Sequence, residues 1–234
     1  LSICDQDPDL AKQVNGQLPG DWAQACATYN VPFVHISTDA VFSGFADSPY
    51  SEDSATGPTN EYGRSKLEGE QRVLACNPDA LVVRTNFFGW SKSGNQGILD
   101  FFFKNLSKGN QVAGFSDYVT TSIYASDFCD WLWSLFLSKQ RGLFHVAAAS
   151  PLTKLEFGLA VAEEFGFSTD LVFESSKDRV QTNRGSYLGL SSARAESVLK
   201  MRVPETTSGI RRAREERRLL RNHLSRTTRA SERR

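Results

Sequence analysis

Residues 33–66 constrain the fold more than any other stretch of this chain. Residues 33–36 form a short apolar run with β-branched members, which is typical of a buried strand. Three small polar residues follow it directly: Ser37, Thr38 and Asp39. Ligands bind beyond the carboxyl ends of the strands in open α/β sheets. We therefore expect a ligand site where this strand ends.

The polar loop that follows leads into a helix with two reactive side chains. Pro58 and Asn60 are helix-start signals, so Tyr62 and Lys66 lie four residues apart on one helical face. A phenol with a pKa near about 10 is a poor acid at neutral pH, and a nearby ammonium lowers that pKa. Thr38 would then hold a substrate carbonyl while Tyr62 passes it a proton. The alternative is an ordinary amphipathic helix with an exposed Tyr and Lys.

Two further apolar runs, at residues 80–83 and 142–147, alternate with helical patterns. This alternation predicts an α/β fold with a doubly wound, Rossmann-like parallel sheet and a smaller C-terminal lobe. His35 and His145 lie in the middle of apolar strands, and we interpret both as core histidines without a catalytic role. Thr153 and Glu156 form a capping box that predicts a helix start.

Composition is that of a globular protein, with 40% hydrophobic and 23% charged residues among 234. No apolar run approaches the roughly 20 residues of a membrane span, and the first residues do not resemble a signal peptide. The four cysteines are scattered without a CxxC pair or nearby histidines. We therefore expect a cytoplasmic protein with buried reduced thiols, no disulfide and no metal.

The net charge of zero conceals an asymmetry. Residues 1–200 carry 16 Lys and Arg against 23 Asp and Glu, whereas residues 201–234 carry 11 Arg against 4 Glu. A basic end could bind nucleic acid. No aromatic residue lies among these arginines as a single-strand-binding surface would need, so we expect a solvated helix that becomes a disordered tail, without nucleic acid or membrane as partner.

Two ordered runs carry a family resemblance: HISTDAVFSG at 35–44 and PTNEYGRSKLEGE at 58–70. The chain resembles the extended short-chain dehydrogenase/reductases over roughly residues 5–205. More narrowly, it is similar to the dTDP-4-dehydrorhamnose reductases of rhamnose biosynthesis. The resemblance implies reduction of a nucleotide-linked 4-keto sugar by NADPH or NADH.

The resemblance also assigns roles to residues. Thr38, Tyr62 and Lys66 would be catalytic, with Tyr62 as proton donor and Lys66 also holding the nicotinamide ribose. The residues that would contact the cofactor are Tyr62, Lys66, Ser37 and Thr85. The substrate would contact Thr38 and six further residues: Asp39, Asn86, Phe87, Thr121, Ser122 and Arg184. Asn15 matches a family asparagine, although an ordinary polar helix residue is an equal interpretation.

The chain departs from the family in one respect. We found no glycine-rich turn of the kind that places a pyrophosphate at a helix N-terminus. We therefore expect an N-terminally truncated chain, divided into a partial NAD(P)-binding domain with the active site (1–150), substrate-binding lobe elements (151–205) and a basic helical or disordered tail (206–234). Dimers are common in this fold, so a homodimer is possible.

Two alternatives remain open. One is a non-catalytic subunit, because a regulatory subunit of methionine adenosyltransferase shares the fold group. The other is a sugar-nucleotide epimerase or dehydratase, although a dehydratase would need an acidic pair where this chain has Asp39 and Ala40. The complete set of Thr38, Tyr62 and Lys66 argues against the non-catalytic subunit, and we take the reductase as the leading hypothesis.

Overall fold

The computed structural model describes residues 2–176 and 185–231. The helices are α1 (Ser2–Gln6), α2 (Pro8–Lys12), α3 (Leu18–Thr28), α4 (Glu61–Cys76), α5 (Ile98–Leu106), α6 (Ala125–Leu137), α7 (Lys154–Phe165), α8 (Ala193–Leu199) and α9 (Thr206–Ser231). The strands are β1 (Val34–Thr38), β2 (Leu81–Thr85), β3 (Phe87–Phe88), β4 (Val112–Phe115), β5 (Val119–Thr120), β6 (Ile123–Tyr124), β7 (Gly142–His145), β8 (Leu152–Thr153), β9 (Val172–Ser175) and β10 (Tyr187–Leu188).

The central sheet has the strand order β1-β2-β7, and all its strands are parallel. Every residue of β2 is buried, since α3 and α4 pack on one face and α6 and α8 on the other. The register aligns Thr38 of β1 with Thr85 of β2, so both strands end at the same edge. The predicted parallel α/β fold is confirmed, whereas the division into three parts stays a prediction.

Close backbone contacts hold α4 on β1 and its flanking turns. A Cβ on Gly63 would lie 2.1 Å from the carbonyl oxygen of Ala40. A Cβ on Gly69 would lie 2.2 Å from the carbonyl oxygen of Asn15. Only glycine fits such spaces. The approach brings the helical turn with Tyr62 against the end of β1.

The N-terminus of α4 is capped twice. The Asn60 Oδ1 atom accepts a 2.8 Å hydrogen bond from the backbone nitrogen of Gly63. The Asp5 Oδ1 atom, from α1, accepts a 3.1 Å hydrogen bond from the backbone nitrogen of Glu61. Two otherwise unpaired N–H groups are thereby satisfied, which fixes where the helix begins.

A second cluster of apolar side chains joins α5, α7 and the first turns of α9. The predicted capping box is confirmed: Thr153 Oγ1 accepts from the Glu156 nitrogen, and Glu156 Oε2 accepts from the Thr153 nitrogen. Within α9, Arg212 pairs with Asp127 at 2.5 Å and with Asp130 at 2.8 Å. Acidic groups of α6 therefore neutralise part of the charge of the basic end.

The four cysteines are free thiols, as predicted. The prediction that they are buried is wrong. Cys129 is exposed, and the other three are half-buried: Cys4, Cys26 and Cys76. All four lie on helices that cover the sheet, where one side faces solvent.

The described part of the chain holds neither a membrane-spanning helix nor a cluster of metal-ligating side chains. No helix there is long and apolar enough to cross a membrane. Within the same residues, no three His, Cys, Asp or Glu side chains gather as they would around a metal ion.

His145 of β7 makes stability depend on pH. It is fully buried, its Nδ1 lies 3.1 Å from the Tyr50 carbonyl oxygen, and burial followed by the positive charge of Arg84 lowers its pKa from 6.5 to about 3. Because the folded pKa is the lower one, acid protonates the unfolded chain first, and stability is lost as the pH falls from 6.5 towards 3. We expect this group to lower the free energy of unfolding by about 2 kcal/mol between pH 7 and pH 5. Urea unfolding of wild type and His145→Gln at both pH values measures it, and equal pH dependence of the two would contradict it.

Candidate active site

A cavity of about 150 Å³ lies at the carboxyl ends of β1 and β2. Four residues predicted from the sequence meet at its wall: Thr38, Asp39, Tyr62 and Asn86. The other described residues that line it are Ala40, Phe42, Thr59, Asn60, Tyr118, Gly185 and Leu188. A larger cavity of about 560 Å³ lies at the opposite end of the sheet, where residues 30–33 and 77–79 precede the strands.

Asp39 is the centre of a buried hydrogen-bond network. Its Oδ1 accepts from Thr38 Oγ1 at 3.0 Å, and its Oδ2 accepts from Asn86 Nδ2 at 2.6 Å. Behind Asn86, the Ser122 hydroxyl donates to Asn86 Oδ1 at 2.7 Å. Burial raises the pKa of Asp39, and the hydrogen bonds that its carboxylate accepts from Asn86 and Thr38 oppose that shift. Four residues predicted to contact substrate thus also bond to one another, which orients Thr38 and Asn86 at the cavity.

Tyr62 and Lys66 do not act on each other as the sequence argument expected. Burial raises the pKa of Tyr62 above 10, although a hydrogen bond with Thr38 opposes this. The Lys66 Nζ donates to the Ile36 carbonyl oxygen at 2.6 Å and lies 3.3 Å from His35 Nε2. Burial lowers the pKa of Lys66, and the Glu70 carboxylate partly offsets this. The prediction of a lowered Tyr62 pKa is wrong for this structure, because burial dominates and the ammonium is directed to β1.

The two hydroxyls predicted to contact the cofactor from the strands are both buried. Ser37 Oγ donates to Glu70 Oε1 at 2.5 Å, so it faces α4. The Thr85 hydroxyl has no hydrogen-bond partner among the described residues. Their cofactor roles stay predictions.

The remaining predicted substrate contacts lie in different surroundings. Phe87 is 55% exposed and its ring stacks on Phe128 at 5.7 Å. Thr121 is buried, and its hydroxyl oxygen accepts from the backbone nitrogen of Leu190 at 2.9 Å. Arg184 lies outside the described residues. Their site roles also stay predictions.

Sequence reasoning missed several lining residues. Tyr118 was within reach of prediction, because the segment 117–128 resembles the family where its chain returns to the substrate cleft. Leu188 lies on β10, and the pairing of β10 with β5 that accompanies its place at the cavity appears only in the tertiary structure. Asn15 also gains a role: its Nδ2 donates to Ser65 Oγ at 3.1 Å, which ties the N-terminal helices to the Tyr62 turn of α4.

A parallel sheet with polar side chains around a cavity at its strand ends is the architecture of a Rossmann-like α/β protein, the class in which ligands bind at this edge of the sheet. The family model described as the RmlD substrate binding domain matches residues 2–218. The chain therefore belongs to the RmlD substrate-binding domain family.

Proteins of several organisms are similar to this chain in sequence. A probable low-salt glycan biosynthesis reductase of Haloferax volcanii is 37% identical over 176 residues, which are 74% of this chain and 58% of that protein. A dTDP-4-dehydrorhamnose reductase of Mycolicibacterium smegmatis is 36% identical over 82% of this chain and 59% of its own length. The β subunit of methionine adenosyltransferase 2 from Bos taurus is 28% identical over 70% of this chain and 51% of its own. The chain thus spans less than two thirds of these relatives.

The fold also matches solved structures. The dTDP-4-dehydrorhamnose reductase of Bacillus anthracis, solved in complex with NADP, superposes with a TM-score of 0.84 at 21% identity. The match covers 91% of this chain and 75% of that one. At this identity the likeness concerns the fold.

Proposed function

We propose that this chain carries the proton-donating side of an NAD(P)H-dependent reductase that acts on a nucleotide-linked 4-keto sugar. The observation that carries the proposal is the meeting of Thr38 and Tyr62 at one cavity where β1 ends. A phenol and a hydroxyl on one wall can bind a carbonyl oxygen and move a proton to it. The reductases among the relatives support the reaction class.

The residues around the cavity fit the nicotinamide end of a dinucleotide. Tyr62 and Lys66 lie one turn apart on α4, and the Lys66 ammonium lies beside the edge of β1, where Ile36 is 42% exposed. A phenol and an ammonium so placed can hydrogen-bond the hydroxyls of a ribose. When bound, the dinucleotide supplies the hydride that reduces the carbonyl carbon.

The chain's own groups would supply the proton. Because burial raises the pKa of Tyr62, the phenol is protonated at neutral pH and can donate. Its proton passes to the carbonyl oxygen as the hydride reaches the carbon, so the ketone becomes a secondary alcohol. Thr38 is held in place by Asp39, with which it makes a 3.0 Å bond, so an oriented hydroxyl lies at the same cavity wall as Tyr62.

Cofactor titration followed by turnover tests the proposal. We expect NADPH or NADH to change the fluorescence of the 234-residue chain in a saturable way, and dTDP-4-keto-6-deoxy sugar to oxidise the bound cofactor. Lys66→Ala should weaken cofactor binding roughly tenfold, since it removes a charged hydrogen bond. Lys139→Ala, beside the cavity at the other end of the sheet, is the control and should bind like wild type. Absence of both binding and turnover would contradict the proposal.

A second candidate is a regulatory subunit, which the likeness to the bovine methionine adenosyltransferase β subunit favours. Such a chain would bind a purified methionine adenosyltransferase catalytic subunit and would not reduce the sugar. Sedimentation of the two purified proteins together distinguishes the candidates. A complex without turnover would favour the subunit.

A further inference from the structure

His35, which the sequence indicates as an ordinary core histidine, contacts the functional lysine. It lies in the middle of β1 and is 7% exposed. Its Nε2 is 3.3 Å from Lys66 Nζ, which also donates to the carbonyl oxygen of Ile36. Two neighbouring residues of β1 thus hold one ammonium group.

The chemistry of the contact defines the state of the imidazole. An ammonium can only donate hydrogen bonds, so the Nε2 of His35 must present its lone pair. The ring is then neutral and carries its proton on Nδ1. Burial, followed by the charge of Lys66, lowers the pKa of His35 to about 4, which is consistent with a neutral ring at physiological pH.

Packing leaves the ring little freedom. A Cβ on Gly69 would come within 3.4 Å of His35 Nε2, so the ring lies directly against α4. The nearest acid on that helix, Glu70, accepts hydrogen bonds from Ser37 and Arg84. The acceptors that Lys66 contacts on β1 are therefore the imidazole nitrogen and a backbone carbonyl.

We propose that His35 is a positioning residue that acts through Lys66. Its Nε2 lone pair holds the ammonium beside the middle of β1, one turn of α4 beyond Tyr62. Loss of this acceptor removes one of two contacts that orient a half-buried cation, so Lys66 samples other rotamers. The consequence for cofactor binding rests on the proposed function, whereas the contact itself does not.

The contact can be tested without any cofactor. Long-range ¹H–¹⁵N correlation spectra of the full chain should show His35 protonated on Nδ1 and unprotonated on Nε2 from about pH 5 to pH 8. Lys66→Met should remove the preference for this tautomer. A ring protonated on Nε2 in wild type, or the same tautomer in Lys66→Met, would overturn the proposal.

Three variants of His35 separate positioning from packing. A glutamine oxygen can take the place of Nε2, an asparagine oxygen is too close to the backbone, and leucine has no acceptor. We expect NADPH affinity within about twofold of wild type for His35→Gln and roughly tenfold weaker for His35→Asn and His35→Leu. Thermal unfolding of each variant shows whether affinity merely follows stability. Equal affinity for His35→Gln and His35→Leu would contradict the positioning role.

Acylation of Lys66, quantified by mass spectrometry, gives a further readout. In His35→Leu the ammonium loses an acceptor, its pKa falls further, and the amine should react several-fold faster than in wild type or His35→Gln. If wild type bound no cofactor, the proposed function would fail. The tautomer of His35 and the labelling rates of Lys66 would still test whether the two side chains hydrogen-bond. An unchanged rate of Lys66 acylation in His35→Leu would contradict the contact between His35 and Lys66.

Discussion

Tyr62→Phe is expected to lower kcat for the proposed reduction of a nucleotide-linked 4-keto sugar by about a thousandfold. The substitution removes one oxygen from a ring at the cavity wall and leaves the packing of α4 unchanged. Without that hydroxyl the carbonyl oxygen receives no proton as the carbon is reduced. Thr38 cannot replace it, because an aliphatic hydroxyl is a far weaker acid than a phenol and can only hydrogen-bond the carbonyl oxygen.

The measurement is the rate of NADPH oxidation with saturating dTDP-4-keto-6-deoxy sugar, together with the dissociation constant for NADPH. Affinity should change by less than the roughly fivefold that one neutral hydrogen bond contributes. Tyr29→Phe is the matched control, since Tyr29 follows α3 and is 79% exposed. A Tyr62→Phe enzyme that keeps a tenth or more of the wild-type kcat would exclude the phenol as the proton donor.

Glu70→Ala is expected to destabilise the fold by about 3–5 kcal/mol. Glu70 and Arg84 form a bidentate pair with bonds of 2.6 and 2.9 Å, and both side chains are 4% exposed. Removal of the carboxylate leaves a guanidinium buried between α4 and the sheet without its counter-ion. The Ser37 hydroxyl, which donates to the same carboxylate, loses its acceptor as well.

Urea unfolding followed by circular dichroism measures this loss. Asp79→Ala is the control, because Asp79 pairs with Arg141 while both side chains are more than half exposed, and it should cost less than about 1 kcal/mol. The double variant Glu70→Leu with Arg84→Met should recover most of the stability, since an apolar pair leaves no charge buried. An equal decrease in the free energy of unfolding for Glu70→Ala and Asp79→Ala would contradict the prediction that leaving the buried Arg84 unpaired costs more than breaking an exposed pair.

The local features of this fold were predictable from the sequence. The apolar run before Ser37 forms β1, and the helix signals at Asn60 place Tyr62 and Lys66 on α4. The Thr153 capping box starts α7 where it was expected. Each depends on residues a few positions apart, because helix caps and strand patterns are short-range effects. That Thr38 and Asn86 line one cavity follows from strand ends that share an edge of a parallel sheet.

The tertiary structure alone decided how the site's side chains are paired. Asp39 and Asn86 are 47 positions apart, and nothing local indicates that they bond to each other. Burial raises the pKa of Tyr62, and burial arises only when the helices pack on the sheet. The neighbouring Lys66 ammonium, read from the sequence alone, predicted a lowered pKa. Lys66 turns to His35 for the same reason, since a half-buried cation takes the acceptors that the packed strand offers. Sequence therefore determined which groups reach the end of β1, and long-range packing determined their partners and charge states, because desolvation and hydrogen bonding depend on neighbours that are remote along the chain.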